Sequence, residues 1–497
     1  MKINENINYD FAIIGGGFAG MVCAYILAKE GFKVALLEKN IQLGGSLQIF
    51  SRDKKILDTG LHYIGGYDEG QNLNKLFNYF GLKDTLQTVR MNEDGYDYIS
   101  FSDGRKYAHA MGYENFISSL CKDFPDEEHA INLFCSKMQE YCHKFPLYNL
   151  YKITTDGYFS EDLRNENAWE YISSITTNKT LQNVLAGNNM LYAGVKEKTP
   201  LFVHALIFNS YICGSYKIVT GGAHLIKQFS KNIRKAGVDI YTHKQVTGAI
   251  FGTDNKISQL LFDNGDKITA KNYISAIHPN ETISLFGANR FSNAWVKRVS
   301  RLEQTISAFL LQITFKPKSF PYLNYNLYHF FNDDVWETIN YTEDNWPLGF
   351  FVFTPVPLDN SEFAESISIM CYMKSDDVAQ WKDSFIKEEK VLAKLETLFP
   401  EIRNAMLNVY SSTPLTFKDY TASTDGSIYG ILKNSHSPLA SMLQPKTKIP
   451  NLWLSGQNIV FHGILGTAIS ALLTCFEFTD KKELLNKINP EKNHIQT

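Results

Sequence analysis

The chain has 497 residues, which is too long for one simple core, so we expect two or three domains. Its composition is that of an ordinary globular protein, with 44% hydrophobic and 20% charged residues and a net charge of −3. No basic run supplies phosphate neutralisation, so the composition argues against a nucleic-acid partner. The 34 Phe and 27 Tyr suit either a large apolar substrate tunnel or a well-packed core.

The cysteines are odd in number and form no CxxC pair, which indicates neither a disulfide framework nor a zinc site. There are seven of them: Cys23, Cys121, Cys135, Cys142, Cys213, Cys371 and Cys475. We therefore expect reduced thiols in a cytoplasmic protein, and no metal. The first nine residues are polar and lead directly into a strand pattern, which argues against a cleavable export signal.

Residues 10–38 predict a strand, a glycine-rich turn, a helix and a second strand in that order. The apolar run 11–14 is typical of a strand buried on both faces. Apolar positions then recur at helical spacing from 18 to about 29, and Gly31 is placed to end the helix. Residues 34–37 predict the second strand. This order indicates a dinucleotide-binding unit.

The turn between the first strand and the helix is a G-x-G-x-x-G motif. Gly15 would allow a tight turn, Gly17 would let the backbone approach a pyrophosphate, and Gly20 would let helix and strand pack closely. The helix N-terminus at Phe18 and Ala19 would offer unpaired N–H groups and a positive dipole end to that anion.

The end of the second strand carries the residues expected to bind the ribose. Glu38 lies eighteen residues after Gly20, where a carboxylate accepts hydrogen bonds from a ribose diol and repels a 2′-phosphate. Lys39 follows it. The glycine pair Gly44-Gly45, with Ser46 after it, is common where a chain passes close to the phosphates and ribityl chain of a flavin.

The middle of the chain alternates between patterns. Residues 56–66 predict a strand and a turn that carries His62 and Tyr63, and residues 71–198 read as mostly helical. Histidines there lack metal-ligand spacing, so we expect solvated or core side chains at His109, His129 and His143. A helix over 199–211 is followed by a Gly221-Gly222 turn and an amphipathic helix that Gly237 ends.

Two later stretches predict a return of the chain to the nucleotide. Val246 is placed to contact an adenine ring through its backbone, and an apolar strand pattern ends in the turn 276–279. The nucleotide-binding domain is therefore predicted to be discontinuous. Residues 300–420 contain strand patterns separated by Pro- and Asn/Asp-rich turns, and we expect them to form one wall of a substrate chamber.

The last informative stretch is 451–475. A predicted strand ends in the turn Gly456-Gln457-Asn458, and a helix begins near Gly463 and Ile464. Its N-terminus could face the pyrimidine end of a flavin, where negative charge accumulates on reduction. Residues 459–476 are long and uncharged enough to resemble a membrane span, but their polar content favours a loop and a buried helix.

These motifs together resemble the flavoprotein family of phytoene desaturases, carotenoid isomerases and all-trans-retinol 13,14-reductases (retinol saturases). The resemblance covers nearly the whole chain, and the motifs DTGLHYIG and TPLTFKDYT favour the retinol-saturase branch. The motifs that carry it are the first glycine turn with its acid, DTGLHYIG at 58–65, VTGGAHL at 219–225, TPLTFKDYT with GSIYGI within 413–431, and the final SGQN and FHG. Two positions depart from the family: Asn458 stands where an acid is common, and Ser46 where an arginine often follows the glycine pair.

The resemblance implies an α/β fold in which a discontinuous, Rossmann-like FAD-binding domain is interleaved with a mixed α/β substrate domain, as in glutathione reductase and amine oxidases. We expect the FAD domain to comprise 1–70, 218–288 and 445–485. The remaining stretches, 71–217 and 289–444, would form the substrate domain, helical first and then sheet, and 486–497 a polar tail. FAD is the expected cofactor.

The expected activity is hydride transfer between flavin N5 and one carbon of a conjugated C=C bond in a long apolar substrate, with saturation favoured. His62, His462 and Tyr429 are the candidate polar groups near the ring. The electron partner could be reduced nicotinamide, a quinone or oxygen. Desaturation, cis/trans isomerisation and amine oxidation are alternatives, as is a flavin-less lipid carrier like the GDP-dissociation inhibitors. A polyene dissolves in the bilayer, so we expect peripheral contact with the inner face of the membrane.

Overall fold

The structure is a computed structural model that describes residue 3 and residues 7–151, 165–359, 361–375 and 384–490. The strands, in chain order, are β1 (Asn8–Ile14), β2 (Val34–Leu37), β3 (Ile49–Arg52), β4 (Lys55–Asp58), β5 (Thr88–Arg90), β6 (Asp97–Phe101), β7 (Lys106–His109), β8 (Tyr216–Ile218), β9 (Asp239–Tyr241), β10 (Val246–Phe251), β11 (Ile257–Phe262), β12 (Lys267–Ser275), β13 (Ser307–Phe315), β14 (Asn326–Phe330), β15 (Gly349–Phe353), β16 (Ser366–Met373), β17 (Met406–Ser412) and β18 (Leu452–Leu454).

The α-helices lie between and around these strands. In chain order they are α1 (Phe18–Lys29), α2 (Asn72–Tyr79), α3 (Tyr113–Asp123), α4 (Glu128–His143), α5 (Ala168–Ile175), α6 (Lys179–Leu185), α7 (Leu201–Ile212), α8 (Gly221–Lys235), α9 (Pro279–Phe286), α10 (Asn293–Ser300), α11 (Ser384–Leu395), α12 (Ile402–Ala405), α13 (Pro414–Thr421), α14 (Gly463–Cys475) and α15 (Lys481–Ile488).

The first sheet has the order β10-β11-β12-β1-β2-β9, with β18 paired to β12. Its centre is parallel: β1 lies between β12 and β2, β9 follows β2, and β18 runs parallel to β12. Val34 to Leu37 are all buried, as a strand covered on both faces requires. All seven strands lie within the three segments expected to form the FAD domain, although the domain bounds themselves stay a prediction.

The second sheet has the order β17-β13-β16-β15-β14-β6-β7. Every residue of β13 and β16 is buried. The expectation that 71–198 is mostly helical was wrong for β5, β6 and β7, which lie within it. The reason is tertiary: β6 pairs in parallel with β14, more than two hundred residues further along the chain, and nothing local announces that partner.

Two further expectations concern the C-terminal part of the chain. Residues 459–476 form a loop and the helix α14, and no described helix is long and apolar enough to cross a membrane. The predicted polar tail was wrong at its start, because α15 continues to Ile488 and buries that side chain. The rest of the tail, 491–497, lies outside the described residues.

The parallel strands bring distant turns to one edge of the first sheet. β1 runs into Gly15, β2 into Glu38, β12 into Ala276 and β18 into Ser455. All four turns follow the carboxyl ends of strands that run in the same direction, so they lie side by side. Ligands of open α/β sheets bind at this edge.

Candidate active site

A cavity of about 720 Å³ opens at this edge and extends toward the second sheet and α7. That volume lies in the upper part of the range of about 300–1,000 Å³ that is typical of ligand sites. Its wall contains the turns after β1, β2, β12 and β18, part of the DTGLHYIG segment, and residues of α7, α13 and α14.

Two glycine turns lie against each other at the centre of the wall. The Gly44 N–H donates to the Gly16 carbonyl at 2.8 Å, and Gly17 forms a parallel bridge with Gly44. Gly44 has a φ of +120°, which strongly favours glycine. A Cβ on Gly20 would overlap the Gly15 carbonyl oxygen, so Gly20 permits the close packing of α1 on β1. A Cβ on Gly17, by contrast, would meet nothing closer than 3.9 Å.

The N-terminus of α1 faces this cradle. Gly17 is the N-cap and provides no side-chain hydrogen bond, and Phe18 and Ala19 line the cavity. The first backbone N–H groups of a helix have no partner within the helix. The turn and the helix dipole together therefore suit the pyrophosphate of a dinucleotide.

Glu38 is 6% exposed and lines the cavity beyond the cradle. Its Oε2 accepts from the Gly16 N–H and its Oε1 from the Asn40 N–H, both at 2.8 Å. Burial raises its pKa, and these two hydrogen bonds oppose that rise. Each carboxylate oxygen accepts two hydrogen bonds, so both can still accept from a ribose diol.

On the opposite side of the cradle from Glu38, the turn 455–458 and the N-terminus of α14 form the wall, and a Cβ on Gly456 would lie 3.8 Å from the Ala19 side chain. The N-cap of α14 is His462, which caps no backbone N–H, and Gly463 has a φ of +72°. Asn458, the departure from the family pattern, accepts from the Ile431 N–H through Oδ1 at 2.9 Å. It therefore ties the segment around 430 to this turn.

The His462 ring lies 4.6 Å from the ring of Tyr429, between centroids. His462 Nε2 lies 3.2 Å from the Leu191 carbonyl, and the Tyr429 hydroxyl donates to the Met190 carbonyl at 3.1 Å. A carbonyl only accepts, so Nε2 carries the proton and Nδ1 is an acceptor. Burial lowers the pKa of His462 to about 4, so the ring is neutral near pH 7.

His62 lies on the wall that faces the second sheet. Its ring contacts Phe353 at 4.0 Å and Phe351 at 5.3 Å between centroids, and Nδ1 is buried without a hydrogen-bond partner among the described residues. Burial lowers its pKa to about 3. Neither candidate histidine is therefore a ready source of protons near neutral pH.

Tyr63 lines the cavity, and its ring lies 4.2 Å from the ring of Tyr211 between centroids, with 32° between the two ring planes. The Tyr63 hydroxyl is occupied elsewhere, by Asp97 and Tyr328, each at 2.8 Å. The Tyr211 hydroxyl has no hydrogen-bond partner among the described residues. A polar group with no partner on an otherwise apolar wall is available to a ligand.

Part of the cavity wall, formed by α2, α7, α14 and the segments beside them, carries apolar side chains, and we call this part the apolar branch. Its lining side chains are Leu73, Tyr148, Leu191, Val203, Leu206, Ile207, Phe461, Ile464 and Leu465. The Tyr148 hydroxyl is satisfied by the Leu206 carbonyl and the Asn209 amide. The branch therefore presents almost only carbon to whatever enters it.

The structure brings nearly all of the expected site residues to one cavity. Those that line it are Gly15, Gly17, Phe18, Ala19, Glu38, Lys39, Gly44, Gly45, Ser46, His62, Tyr63, Val246, Gly456, Gln457, Asn458, His462, Gly463, Ile464 and Tyr429. Gly20 does not line it and lies under the turn. Sequence reasoning missed Tyr211 and Lys433, which also line the cavity; Lys433 begins the polar stretch 433–437, and neither residue belongs to a motif that would have marked it.

A sheet with a parallel centre whose carboxyl edge carries a glycine cradle suited to a pyrophosphate, an acid suited to a ribose diol and a second helix N-terminus from far along the chain is typical of an FAD-binding α/β flavoprotein. Residues 18–475 match the family model described as flavin containing amine oxidoreductase. The chain belongs to this family. FAD is its cofactor, the residues of the cradle fit that group, and the chain is a flavin-dependent oxidoreductase.

Individual relatives agree with this assignment. The chain is 25% identical to an all-trans-retinol 13,14-reductase of Macaca fascicularis over 97% of this chain and 88% of the relative. It is 23% identical to a chloroplastic prolycopene isomerase of Daucus carota, over 95% and 80%. Among solved structures, a redesigned putrescine oxidase superposes with a TM-score of 0.64 at 15% identity, over 97% and 99%. The expected fold class, cofactor and family resemblance are thus confirmed.

Proposed function

We propose that this protein is an FAD-dependent reductase that saturates a C=C bond of a long apolar conjugated substrate, a polyene of the carotenoid or retinoid kind. The observation that carries this proposal is the apolar branch, because it lines the same cavity as the rings of Tyr429 and His462 and offers no charge to a substrate. Similarity to retinol reductases and prolycopene isomerases supports the same substrate class.

In this proposal the pyrophosphate of FAD lies at Gly17 and Gly44, the adenosine ribose at Glu38, and the flavin ring between His62 and the N-terminus of α14. Bound FAD would supply the hydride transfer between its N5 and one carbon of the substrate. Val203, Leu206 and Ile207 of α7 would align the polyene and exclude water from the reacting carbons. Reduced nicotinamide and hydroquinones are the candidate electron donors.

Amine oxidation is the second candidate, because the family model and putrescine oxidase both point to it. The charges in the cavity disfavour it. Among the described lining residues the carboxylates are Glu38 and Glu281, and Glu281 lies on α9, which packs against β10, the strand that carries Val246 of the predicted adenine contact. At the ring end the charged group is a lysine, Lys433, which would repel a substrate ammonium.

The test is anaerobic reoxidation of the reduced holoenzyme. We expect retinoids or carotenoids to restore the oxidised flavin spectrum and to be recovered as hydrogenated products by mass spectrometry. Reduction of the oxidised enzyme by amines, with no response to any polyene, would overturn the proposal. A colourless protein that takes up no FAD would instead favour a lipid carrier. Comparing reduced nicotinamide, hydroquinones and dithionite as reductants identifies the electron partner.

Two variants at one position make the test specific to the branch. Leu206→Trp should fill the space between α7 and α14, and Leu206→Met keeps the volume and apolar character. We expect the tryptophan variant to keep its flavin and lose reoxidation by polyenes at least about tenfold, a change of about 1.4 kcal/mol in barrier. The methionine variant should behave as wild type. Equal rates in all three would place the substrate elsewhere.

We also propose peripheral contact with a membrane, since such a substrate resides in the bilayer. Flotation with liposomes of neutral and anionic lipid tests this directly. The protein is expected to float with the vesicles, and a protein that stays at the bottom of the gradient with both would contradict it.

A further inference from the structure

Lys433 is a buried amine on the wall of the active-site cavity. Its side chain is 7% exposed, and Nζ donates to the Ser441 carbonyl at 2.8 Å. A lysine ammonium has three donors, so this single hydrogen bond leaves two of them unused. Among the described residues no carboxylate pairs with it. A buried cation without a counter-ion destabilises the fold, and a ligand that carries negative charge would offset this cost.

The position of Lys433 within the cavity is fixed by its neighbours. It lies close enough to His462, the N-cap of α14, to lower the pKa of that imidazole. Ile431, two residues earlier, is tied to Asn458 in the turn before α14. Lys433 therefore adds its charge at the same end of the cavity where the positive end of the α14 dipole lies.

The other charged groups on the surrounding elements are engaged away from Lys433. Glu303, whose carbonyl accepts from the Leu432 N–H, forms an exposed ion pair with Lys198. Arg298 of α10 donates to the carbonyls of Leu439, Ala440 and Met442. His462 is neutral near pH 7. The positive charge of Lys433 is therefore uncompensated by the described part of the chain.

We infer that Lys433 acts electrostatically. Its ammonium group stabilises the negative charge that the flavin gains at the pyrimidine end of its ring on reduction. Negative charge accumulates there at N1 and the C2 carbonyl, and a fixed cation nearby makes reduction easier. This inference rests on the proposed placement of the ring, but not on the identity of the substrate.

Because Lys433 can lose its charge by titration, its effect on the flavin midpoint potential depends on pH. Burial lowers the pKa of Lys433 to about 7, so the oxidised enzyme loses this charge near neutral pH. Reduction places an anion beside the amine and raises its pKa. Between the two values reduction takes up an additional proton, so the midpoint potential falls more steeply with pH there. Above both values Lys433 is neutral in each redox state, and its effect disappears.

The experiment measures the flavin midpoint potential of three holoenzymes across this pH range. Lys433→Met removes the charge and keeps much of the apolar stem, while Lys433→Arg keeps the charge at every pH. Below pH 7 we expect wild type and the arginine variant to favour reduced flavin at least tenfold more than the methionine variant, which for a two-electron couple is about 30 mV. As the pH rises, wild type should approach the methionine variant while the arginine variant stays above it.

Equal potentials in wild type and Lys433→Met below pH 7 would overturn the inference. If the methionine variant fails to bind FAD, wild type and Lys433→Arg still decide: divergence above pH 7 supports the inference, and identical profiles overturn it. A purely structural lysine would not produce that divergence. These outcomes are separate from the proposed function, because polyenes can reoxidise the flavin, or fail to, whatever the potentials are.

Discussion

The hydroxyl of Tyr63 donates to the carboxylate of Asp97 at 2.8 Å, although the ring of Tyr63 forms part of the cavity wall and Asp97 is fully buried behind it. Asn326 provides the second donor to this carboxylate at 2.9 Å. Burial raises the pKa of Asp97 to about 7, and the two hydrogen bonds and the charge of Lys217 oppose that rise. The Asp97 carboxylate thus holds Tyr63 in the cavity wall, and the Tyr63 hydroxyl in turn stabilises the buried carboxylate.

Tyr63→Phe should lower the free energy of unfolding by about 1–3 kcal/mol, because it leaves one oxygen of a buried carboxylate without a donor. Tyr328→Phe is the matched control. It removes a hydroxyl that contacts only the Tyr63 hydroxyl among the described residues, so the loss should be about 0.5–1.5 kcal/mol. Chemical denaturation of both variants with bound FAD measures the difference. A larger loss in the Tyr328 variant would contradict the assigned direction of the hydrogen bonds.

Substitutions at two glycines of the cradle should affect folding and cofactor binding separately. Gly20→Ala places a Cβ on the Gly15 carbonyl oxygen and should destabilise the fold by about 1–3 kcal/mol or more, since α1 must move away from β1. Gly17→Ala would place its methyl group at an ordinary contact distance of 3.9 Å from Gly45 Cα, so the FAD-free protein should unfold at the same denaturant concentration as wild type. Its methyl group would occupy the gap between the two glycine turns, and we expect FAD affinity to fall at least about tenfold.

Urea denaturation without FAD and fluorescence titration with FAD distinguish the two glycine variants. If Gly17→Ala bound FAD as tightly as wild type, the pyrophosphate would not lie between Gly17 and Gly44. If Gly20→Ala were as stable as wild type, the contact between α1 and β1 would be looser than the structure shows.

Asp58 links the DTGLHYIG segment to α8, where its Oδ1 accepts from the Gly222 N–H at 2.8 Å. Burial raises its pKa from 3.8 to about 7, so the folded state keeps a proton that the unfolded state releases between these values. Stability is therefore lost as the pH rises through this window, by up to about 1.4 kcal/mol per pH unit.

Asp58→Asn keeps an acceptor for Gly222 and removes the ionisation. Relative to wild type, we expect this variant to gain stability steadily from pH 4 to pH 7 and to keep a constant advantage above it. Urea denaturation across this range, with the same FAD concentration throughout, measures the difference. A difference that does not change with pH would show that Asp58 is solvated in the folded state.

Much of the first sheet and its glycine turns could be predicted, because the sequence patterns that specify them are local. The helix after the first glycine turn and the strand Val34–Leu37 have the predicted bounds, since apolar spacing and flanking glycines determine them within a few residues. The fully buried strands Ser307–Phe315 and Ser366–Met373 were also predictable as strand patterns, because apolar and β-branched residues dominate both. Each of these elements is specified by its own residues.

The residues that sequence reasoning missed depend on partners far along the chain. Asp97 is an ordinary acid in sequence, and only its parallel register with Asn326 buries it. Lys433 stands in a polar segment, where a solvated side chain is the natural expectation, and it is the packing of 441–443 against the turn before α14 that buries it. Burial of a charge is a tertiary property, so local patterns do not reveal it.

The two histidines predicted as candidate catalytic groups, His62 and His462, are both buried and uncharged. Burial lowers the pKa of His62 to about 3 and that of His462 to about 4, so both are neutral over the range in which the enzyme would be assayed. His462 also donates its only ring N–H to the Leu191 carbonyl. We expect His462 to hold the cavity wall beside Tyr429 in place and not to deliver the proton that accompanies hydride transfer.

His462→Gln should therefore keep most of the activity, because the glutamine amide can donate to Leu191 as Nε2–H does, whereas His462→Ala should lower the rate about tenfold or more by loosening the wall. The rate of polyene-dependent flavin reoxidation, measured against pH, should show no ionisation near 6.5 that disappears in either variant. Such an ionisation in wild type, absent from both variants, would make His462 a proton donor after all. His62→Ala, assayed in the same way with its flavin content determined, applies the same criterion to His62.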